Sequence, residues 1–170
     1  EYTLYGESNL NTLTQYHSLR GKVIFITGGA SGIGKAMVES FAKQDAKVAF
    51  IDIDDDSARV LINSLPEANL WYRQVDVTDS YALQKSLVDA SLVLGNINVL
   101  VNNVANDRRQ ASEEVTVNDW EQCLQINLNP AFFASQVAMS FMQKENSGSI
   151  INFSSINAIM GQPQMAGYVT

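Results

Sequence analysis

Short apolar runs rich in β-branched residues alternate along this chain with longer stretches whose apolar positions recur every three or four residues. The first pattern is typical of buried strands and the second of amphipathic helices. Strands and helices that alternate in this way form βαβ units, in which crossover helices join parallel strands. The predicted strands are KVIFIT (22–27), AKVAFID (46–52), LWYRQVDV (70–77), INVLVNN (97–103) and GSIINFSS (148–155).

The first helical stretch begins near Gly32. Its apolar residues Ile33, Met37 and Phe41 recur at intervals of four, which predicts a stripe that faces the core. The next two stretches follow the second and third predicted strands, and Gly95 is placed to end the later one.

The fourth and longest helical stretch begins at Thr116, where the order Thr-Val-Asn-Asp predicts a capping box, and continues to about residue 144. Pro130 stands inside it. Because proline removes one helical hydrogen bond and clashes with the preceding turn, we predict a kink at residues 126–130.

Parallel strands with right-handed crossovers wrap helices onto both faces of a sheet. We therefore predict the α/β fold class, with a Rossmann-like, doubly wound parallel sheet of five strands. Residues 21–170 would form this single domain, preceded by a polar N-terminal segment, residues 1–20.

Composition narrows the function classes. The 170 residues suit one domain, and a net charge of −7 argues against nucleic acid as a partner. No apolar run approaches the length of a membrane span, and residues 1–20 lack the apolar core of a secretory signal, so we expect a cytoplasmic protein. A single cysteine, Cys123, excludes an internal disulfide and a cysteine-based metal cluster. We predict that its side chain is buried as a small apolar group.

A glycine-rich turn, TGGASGIG, joins the first strand to the first helix, with Gly28, Gly32 and Gly34 spaced as G-x-x-x-G-x-G. Glycines there permit a tight turn and bring main-chain amides close to an anion at the helix N-terminus. A merely structural turn is the alternative interpretation.

Asp52 favours the dinucleotide interpretation. It ends the second predicted strand, where a carboxylate can accept hydrogen bonds from both hydroxyls of an adenosine ribose. A 2′-phosphate would meet that carboxylate as a like charge, and no arginine lies at positions 51–56. We therefore expect NAD rather than NADP. Asp76 ends the third predicted strand and is a candidate for the adenine amino group, or else an ordinary turn carboxylate.

With these pieces in place, residues 21–170 resemble the short-chain dehydrogenase/reductase family. The resemblance implies reversible hydride transfer between a nicotinamide and a carbinol or carbonyl carbon. It rests on TGGASGIG, Asp52, Asp76-Val77, NNVA at 102–105, INL around Asn127, and a serine pair followed by Tyr168.

The resemblance implies catalytic roles for three residues. Tyr168 would be the general acid/base, Ser155 would hydrogen-bond the reacting oxygen, and Asn127 would anchor a water in a proton relay. Asn102 and Asn103 would brace the fourth strand and contact the cofactor. The expected cofactor-binding set is Gly28, Ser31, Gly32, Ile33, Gly34, Asp52, Ile53, Asp76, Val77, Asn103, Val104, Ala105 and Tyr168.

Two features depart from the family pattern. Its lysine, four residues after the tyrosine, would fall at position 172, beyond Thr170, so we expect a truncated chain that is inactive as given. Ala105 stands where the family has glycine, which adds a methyl group beside the nicotinamide ribose.

The loop NDRR, with YHSLRGKVIFITGG and IINFSSI, resembles NAD-dependent aldose 1-dehydrogenases of the D-xylose type. These oxidise the anomeric hydroxyl of a sugar to a lactone. The resemblance implies that Asn106 and Arg109 hold ring hydroxyls, that Ser155 and Tyr168 face the reacting carbon, and that Gln110 and Asn157 are further contacts.

Other functions stay open on these residues. A short-chain reductase of ketones, steroids or 3-oxoacyl thioesters would share the same first half, and a non-catalytic dinucleotide-binding fragment is a third hypothesis. We predict that Trp120 and Phe132-Phe133 on the long helix are anchors of either the core or a subunit interface. By analogy with the family, we expect a homo-oligomer, a dimer or tetramer.

Overall fold

The computed structural model describes residues 14–169. Within this range a short 3₁₀ turn at His17–Leu19 precedes the sheet, and another lies at Ser112–Glu114. The strands are β1 (Val23–Thr27), β2 (Lys47–Asp52), β3 (Leu70–Gln74), β4 (Val99–Asn102) and β5 (Ser149–Asn152). The helices are α1 (Gly32–Ala42), α2 (Asp55–Ser64), α3 (Ser80–Leu94), α4 (Val117–Asn127), α5 (Asn129–Glu145), α6 (Asn157–Met160) and α7 (Ala166–Val169).

The five strands form one parallel sheet in the order β3-β2-β1-β4-β5. The order reverses between β1 and β4, which opens a crevice at the carboxyl ends of these two strands. The predicted Rossmann-like, doubly wound α/β fold is confirmed.

Alternate residues of the central strands face two separate cores, because successive side chains of a strand point to opposite sides of the sheet. Ile24 and Ile26 of β1 pack with the apolar side chains of α1 and α2. Val23 and Phe25 pack with those of α3 and α5. All five β1 residues are buried, so β1 is the centre of the molecule.

The long predicted helix is two helices. The helix is interrupted at Leu128. Pro130 lies in the first turn of α5, where no helical hydrogen bond needs its missing N–H. The kink predicted at residues 126–130 is therefore present. The capping box at Thr116 is also present, since the Thr116 side chain accepts from the Asp119 amide and the Asp119 side chain accepts from the Thr116 amide.

Three local predictions were wrong. Ile33 is 61% exposed, whereas Gly34 and Val38 of α1 are buried, and Met37 and Phe41 pack against the core that contains Val38. The third and fifth strands end at Gln74 and Asn152, short of the predicted positions 77 and 155, because the chain leaves the sheet where the carboxyl-end loops begin.

Of the N-terminal segment, residues 1–13 lie outside the described range, as does Thr170. Residues 14–18 are exposed, and the Tyr16 amide donates to Gln44 Oε1 at 2.7 Å. The division of the chain at residue 20 stays a prediction. None of the helices in residues 14–169 combines the length and apolarity needed to cross a membrane.

Candidate functional site

A cleft of about 520 Å³ opens at the carboxyl ends of β1, β2 and β4. This is the crevice that the strand order predicts for a ligand in a doubly wound sheet. Most of the residues expected to contact the cofactor line it: Gly28, Ser31, Gly32, Ile33, Asp52, Ile53, Asp76, Val77, Asn103, Val104 and Ala105. Gly34 and Tyr168 are not among its lining residues.

The glycine turn is held against the end of β2. The Gly28 and Gly29 amides both donate to the carbonyl of Ile51, at 2.8 and 3.1 Å. A Cβ on Gly34 would lie 1.8 Å from the Gly28 carbonyl oxygen. Gly34 therefore acts through close packing of α1 on β1, which explains its absence from the cleft wall.

The start of α1 offers main-chain donors to the cleft. The first amides of any helix lack helical partners, and here the Ser31 side chain forms no capping hydrogen bond. Gly32 has a φ of +52°, and a Cβ there would meet nothing within 4 Å, so the approach to these amides is open. Unpaired amides at a helix N-terminus favour an anion.

Asp52 binds two main-chain amides with its carboxylate. Oδ2 accepts from the Ala30 amide at 2.8 Å, and Oδ1 accepts from the Asp54 amide at 3.0 Å. Since Ala30 lies within the glycine turn, Asp52 ties that turn to the end of β2. Each carboxylate oxygen has two lone pairs, so the group retains acceptor capacity toward the cleft.

The far wall of the cleft combines polar and apolar groups. Asp76 Oδ1 accepts from the amide and the hydroxyl of Thr78, at 2.9 and 2.8 Å. Val77 is buried, whereas Ile53 is 65% exposed toward the opening. Both apolar side chains line the cleft together with Asp76, so this wall offers apolar contacts and a carboxylate acceptor to a ligand.

Asn103 braces the turn from the side of β4. Its side-chain Nδ2 donates to the carbonyls of Thr27 and Gly28, both at 3.1 Å. Its amide donates to the Thr27 hydroxyl at 3.0 Å. Asn103 thereby closes the gap between β1 and β4 at the point where the cleft opens.

Asn102 lies deeper and links β4 to its neighbours. Its Nδ2 donates to Asn152 Oδ1 of β5 at 2.8 Å and to the Ser135 hydroxyl of α5 at 3.3 Å. Asn102 is 7% exposed, which places these bonds in the interior. The residue holds β4, β5 and α5 together rather than facing the cleft.

A second recess, of about 100 Å³, lies between α4 and α7 and contains Tyr168. Asn106 and Ile126 line both this recess and the larger cleft, so the two are adjacent. Met165 is buried in the recess wall, whereas Met160 is 77% exposed. Half-buried Trp120 also lines the recess.

Asn127 clamps the loop that follows β4. Its Oδ1 accepts from the Asn106 amide at 2.7 Å, and its Nδ2 donates to the Asn106 carbonyl at 3.0 Å. The same Nδ2 lies 3.2 Å from Cys123 Sγ. Cys123 is half-buried and takes part in this polar cluster, so the prediction of a buried apolar cysteine was wrong.

The remaining candidates, Ser155, Asn157 and Arg109, are not among the lining residues of either cavity. Ser155 is half-buried, and its hydroxyl accepts from the Asn157 amide at 3.2 Å. Asn157 Nδ2 lies 3.9 Å from the sulfur of Met165. Arg109 is exposed, and the structure brings it to neither cavity.

A polar network beside the recess joins Gln110, already a predicted contact, to Asp119 and Arg108, which were not among the predicted site residues. Asp119 accepts hydrogen bonds from Thr116, from Gln110 Nε2 at 3.2 Å and from Arg108 at 3.4 Å. The bonds from Thr116 and then Gln110 lower the pKa of Asp119 to about 2. Asp119 is therefore a fixed negative charge at neutral pH. The only sequence signal for this role was the capping box.

No group of three or more His, Cys, Asp or Glu side chains in residues 14–169 is arranged to hold a metal ion. The polar groups that line the two cavities include amides, hydroxyls, the carboxylates of Asp52, Asp76 and Asp119, the Arg108 guanidinium and the Cys123 thiol.

Comparison with known proteins agrees with this geometry. The family model described as short chain dehydrogenase matches residues 22–170. The probable galactose dehydrogenase GalD of Rhizobium meliloti is 39% identical over 160 residues, which cover 92% of this chain and 62% of that protein. The D-xylose 1-dehydrogenase of Caulobacter vibrioides is 35% identical over 157 residues, 91% of this chain and 62% of the relative. The chain belongs to the short-chain dehydrogenase/reductase family.

A solved structure gives the same result. A double mutant of a Serratia marcescens short-chain dehydrogenase/reductase superposes with a TM-score of 0.84 at 32% identity, covering 90% of this chain and 63% of that one. A relative of another kind also matches: 3-oxoacyl-[acyl-carrier-protein] reductase FabG of Thermotoga maritima is 35% identical over 155 residues. The chain spans about 62% of the length of these curated relatives.

Proposed function

We propose that the protein containing this chain is an NAD-dependent oxidoreductase that oxidises the anomeric carbon of an aldose to a lactone. The observation that carries the proposal is the junction of the two cavities at Asn106 and Ile126. It sets a dinucleotide-sized cleft beside the recess that contains Tyr168.

The cleft residues fit a nicotinamide dinucleotide. The open amides at the start of α1 suit its pyrophosphate, and the carboxylate of Asp52 suits a ribose with free hydroxyls. Asp76, Ile53 and Val77 suit its adenine. A 2′-phosphate would face the Asp52 charge, which favours NAD over NADP. When bound, the cofactor supplies the hydride acceptor.

Tyr168 is proposed to take the proton of the C1 hydroxyl at its phenolic oxygen, and Ser155 to donate a hydrogen bond to the same substrate oxygen. Asn127 is proposed to support a water in the proton path. Its bonds to Asn106 fix it on the recess wall.

An aldose is favoured by the two sugar dehydrogenases among the relatives. Recognition of a sugar requires donors and acceptors in fixed positions, and Asn106 offers both at the junction of the cavities. Arg109 and Asn157 stay predicted contacts to the sugar ring.

Turnover by the full-length protein tests the proposal. We expect reduction of NAD with D-galactose or D-xylose, with a lower kcat/KM for NADP. Tyr168→Phe should lower kcat by about 10² to 10⁴, because it removes the proton acceptor while keeping the ring. Retention of NAD binding by that variant is the control, and unchanged turnover would refute the role of Tyr168.

A 3-oxoacyl thioester reductase is the second candidate, since FabG of Thermotoga maritima matches at 35% identity. Turnover of a 3-oxoacyl thioester with no turnover of either sugar would favour it. Cofactor binding without turnover of any of these substrates would favour a non-catalytic dinucleotide-binding protein.

We also propose a homo-oligomer that forms through α5. Phe132 and Met139 lie along one side of this helix with Leu128 at its N-cap, and each is about half exposed or more. Phe132 is thus an interface candidate rather than a core residue. Light scattering of the full-length protein should show a dimer or tetramer, and Phe132→Ser should shift it toward monomer, whereas a monomeric parent protein would contradict this proposal.

A further inference from the structure

Two segments that the proposed chemistry uses are linked by a main-chain hydrogen bond that lies outside the cofactor cleft. The first is the loop between β4 and α4, residues 103–115, here called the substrate loop. The second is the acid/base segment, residues 161–169, which contains Tyr168. The main-chain amide of Gln110 in the substrate loop donates to the carbonyl of Gln164 in the acid/base segment at 2.7 Å.

The side chain of Gln110 fixes the residue that makes this link. Nε2 donates to the carbonyl of Glu114 at 3.0 Å and to Asp119 Oδ2 at 3.2 Å. Asp119 is itself held by Thr116 in the first turn of α4. Because both Nε2 protons bind fixed acceptors, the side chain of Gln110 is immobilised. This in turn holds the main-chain amide of Gln110 in place to donate to Gln164.

The receiving residue is under conformational strain. Gln164 has a φ of +64°, a left-handed conformation that non-glycine residues adopt only when their surroundings hold them. The next residue, Met165, is 2% exposed, and its carbonyl accepts from the amides of Tyr168 and Val169 at 3.0 and 3.1 Å. The position of Gln164 therefore sets where the turn that carries Tyr168 begins.

We propose that Gln110, oriented by Asp119, is a positioning residue that couples the substrate loop to the placement of Tyr168. This rests on the proposed role of Tyr168 as acid/base. Gln110 acts through the Gln164 carbonyl, not on the reacting atoms. Since a displacement of about 1 Å at a catalytic group can lower a rate by about 100-fold, loss of the link should appear in kcat.

The test uses three variants of the full-length protein. Gln110→Met keeps the length of the side chain and removes both donors, Gln110→Lys keeps donors that reach Asp119, and Asp107→Asn changes an exposed residue of the same loop. Hydrogen exchange of the Tyr168 and Val169 amides is measured, with NAD affinity, and with kcat and KM for D-galactose and D-xylose.

In Gln110→Met we expect faster exchange at Tyr168 and Val169 and a kcat lowered by about tenfold or more, with NAD affinity within about twofold of the parent. Gln110→Lys should restore both readings, and Asp107→Asn should change neither. Asp119→Asn, which weakens the acceptor, should resemble Gln110→Met, and it replaces that variant if the methionine protein does not fold.

Unchanged exchange at Tyr168 and Val169 in Gln110→Met would overturn the proposal, as would a lysine variant no better than the methionine variant. Failure of the proposed function is a different result: no turnover of either sugar by the parent protein, or unchanged turnover by Tyr168→Phe. The exchange measurement still decides the coupling in that case.

Discussion

The centre of the sheet, around β1, and its edge, around β5, differ in how their functional residues are held. Around β1 every strand residue is buried, and the glycine turn is bound by Ile51, Asp52 and Asn103. Around β5, three of four strand residues are exposed, and Ser155 and Tyr168 lie on or beside helices of four residues. The comparison teaches that the cofactor cleft is organised by the sheet itself, whereas the acid/base segment depends on contacts from α4 and the substrate loop.

The largest expected effect concerns the glycine turn beside the cofactor cleft. Gly34→Ala places a methyl group 1.8 Å from the Gly28 carbonyl oxygen, so α1 must move off β1. We expect a loss of about 3 kcal/mol in the free energy of unfolding and no measurable NAD binding. Denaturant unfolding and calorimetric titration of the full-length protein would measure both.

Gly32→Ala is the matched control for Gly34→Ala. It meets no atom within 4 Å but has a φ of +52°, so it should cost only about 1 kcal/mol of strain. Equal destabilisation by the two alanines would show that packing of α1 on β1 is not what Gly34 provides.

The second effect tests the double role of Asp52. Asp52→Ala leaves the Ala30 and Asp54 amides without their acceptor and removes the proposed ribose ligand. Because a hydrogen bond to a charged acceptor contributes about 1.5 to 3 kcal/mol, loss of the bonds from the ribose hydroxyls should lower NAD affinity by about 10- to 100-fold. Asp54→Ala, which removes only the cap of α2, should leave NAD affinity unchanged; an equal loss there would contradict the role of Asp52.

The third effect concerns the acid/base segment alone. A Cβ on Gly167 would lie 2.8 Å from Cys123 Sγ, so Gly167→Ala pushes α7 away from α4. We expect kcat to fall by about tenfold, because movement of α7 displaces Tyr168, with NAD affinity unchanged. Adding Cys123→Ala to Gly167→Ala should recover most of the rate. If Gly167→Ala also lowered NAD affinity, the proposed contrast between the cofactor cleft and the acid/base segment would be wrong.

The smallest effect is a pH dependence. The folded-state pKa of Asp119 is about 2, below the value of about 4 expected for an unfolded chain. The stability it contributes is therefore present above about pH 4 and is lost as pH falls toward 2. Thermal unfolding across this window should show a shallower decline for Asp119→Asn, and identical slopes would show that Asp119 contributes nothing to folding.

The sequence predicted the fold and the region near β1 well, because the signals there are local. A continuous apolar run specified β1, the glycine spacing specified the turn, and Pro130 marked the break between α4 and α5. The error at Ile33 has a physical cause: an apolar residue at the first turn of α1 faces the cleft, while the glycine next to it packs on the strand.

The acid/base region was harder to predict because its contacts join residues far apart in the chain. Arg109 and Gln110 were both chosen from their loop, but the structure brings only Gln110 of the two to the recess, together with Arg108. The link from Gln110 to Gln164 depends on the left-handed conformation of Gln164. Glycine or asparagine would have signalled that conformation in the sequence, but glutamine does not. Periodicity and motif spacing contain no information about such a contact.

The break at Leu128 has a consequence for how this protein can diverge. Within the described chain, no α4 residue is fully buried, whereas α5 buries Ala134, Ala138 and Phe141 against the sheet. Because the two helices are separate units, substitutions in residues 117–127 can reshape the recess without disturbing the core. On the proposed function, related chains can therefore acquire new substrate preferences through α4 and the loop before it, while α5 and the sheet stay the same.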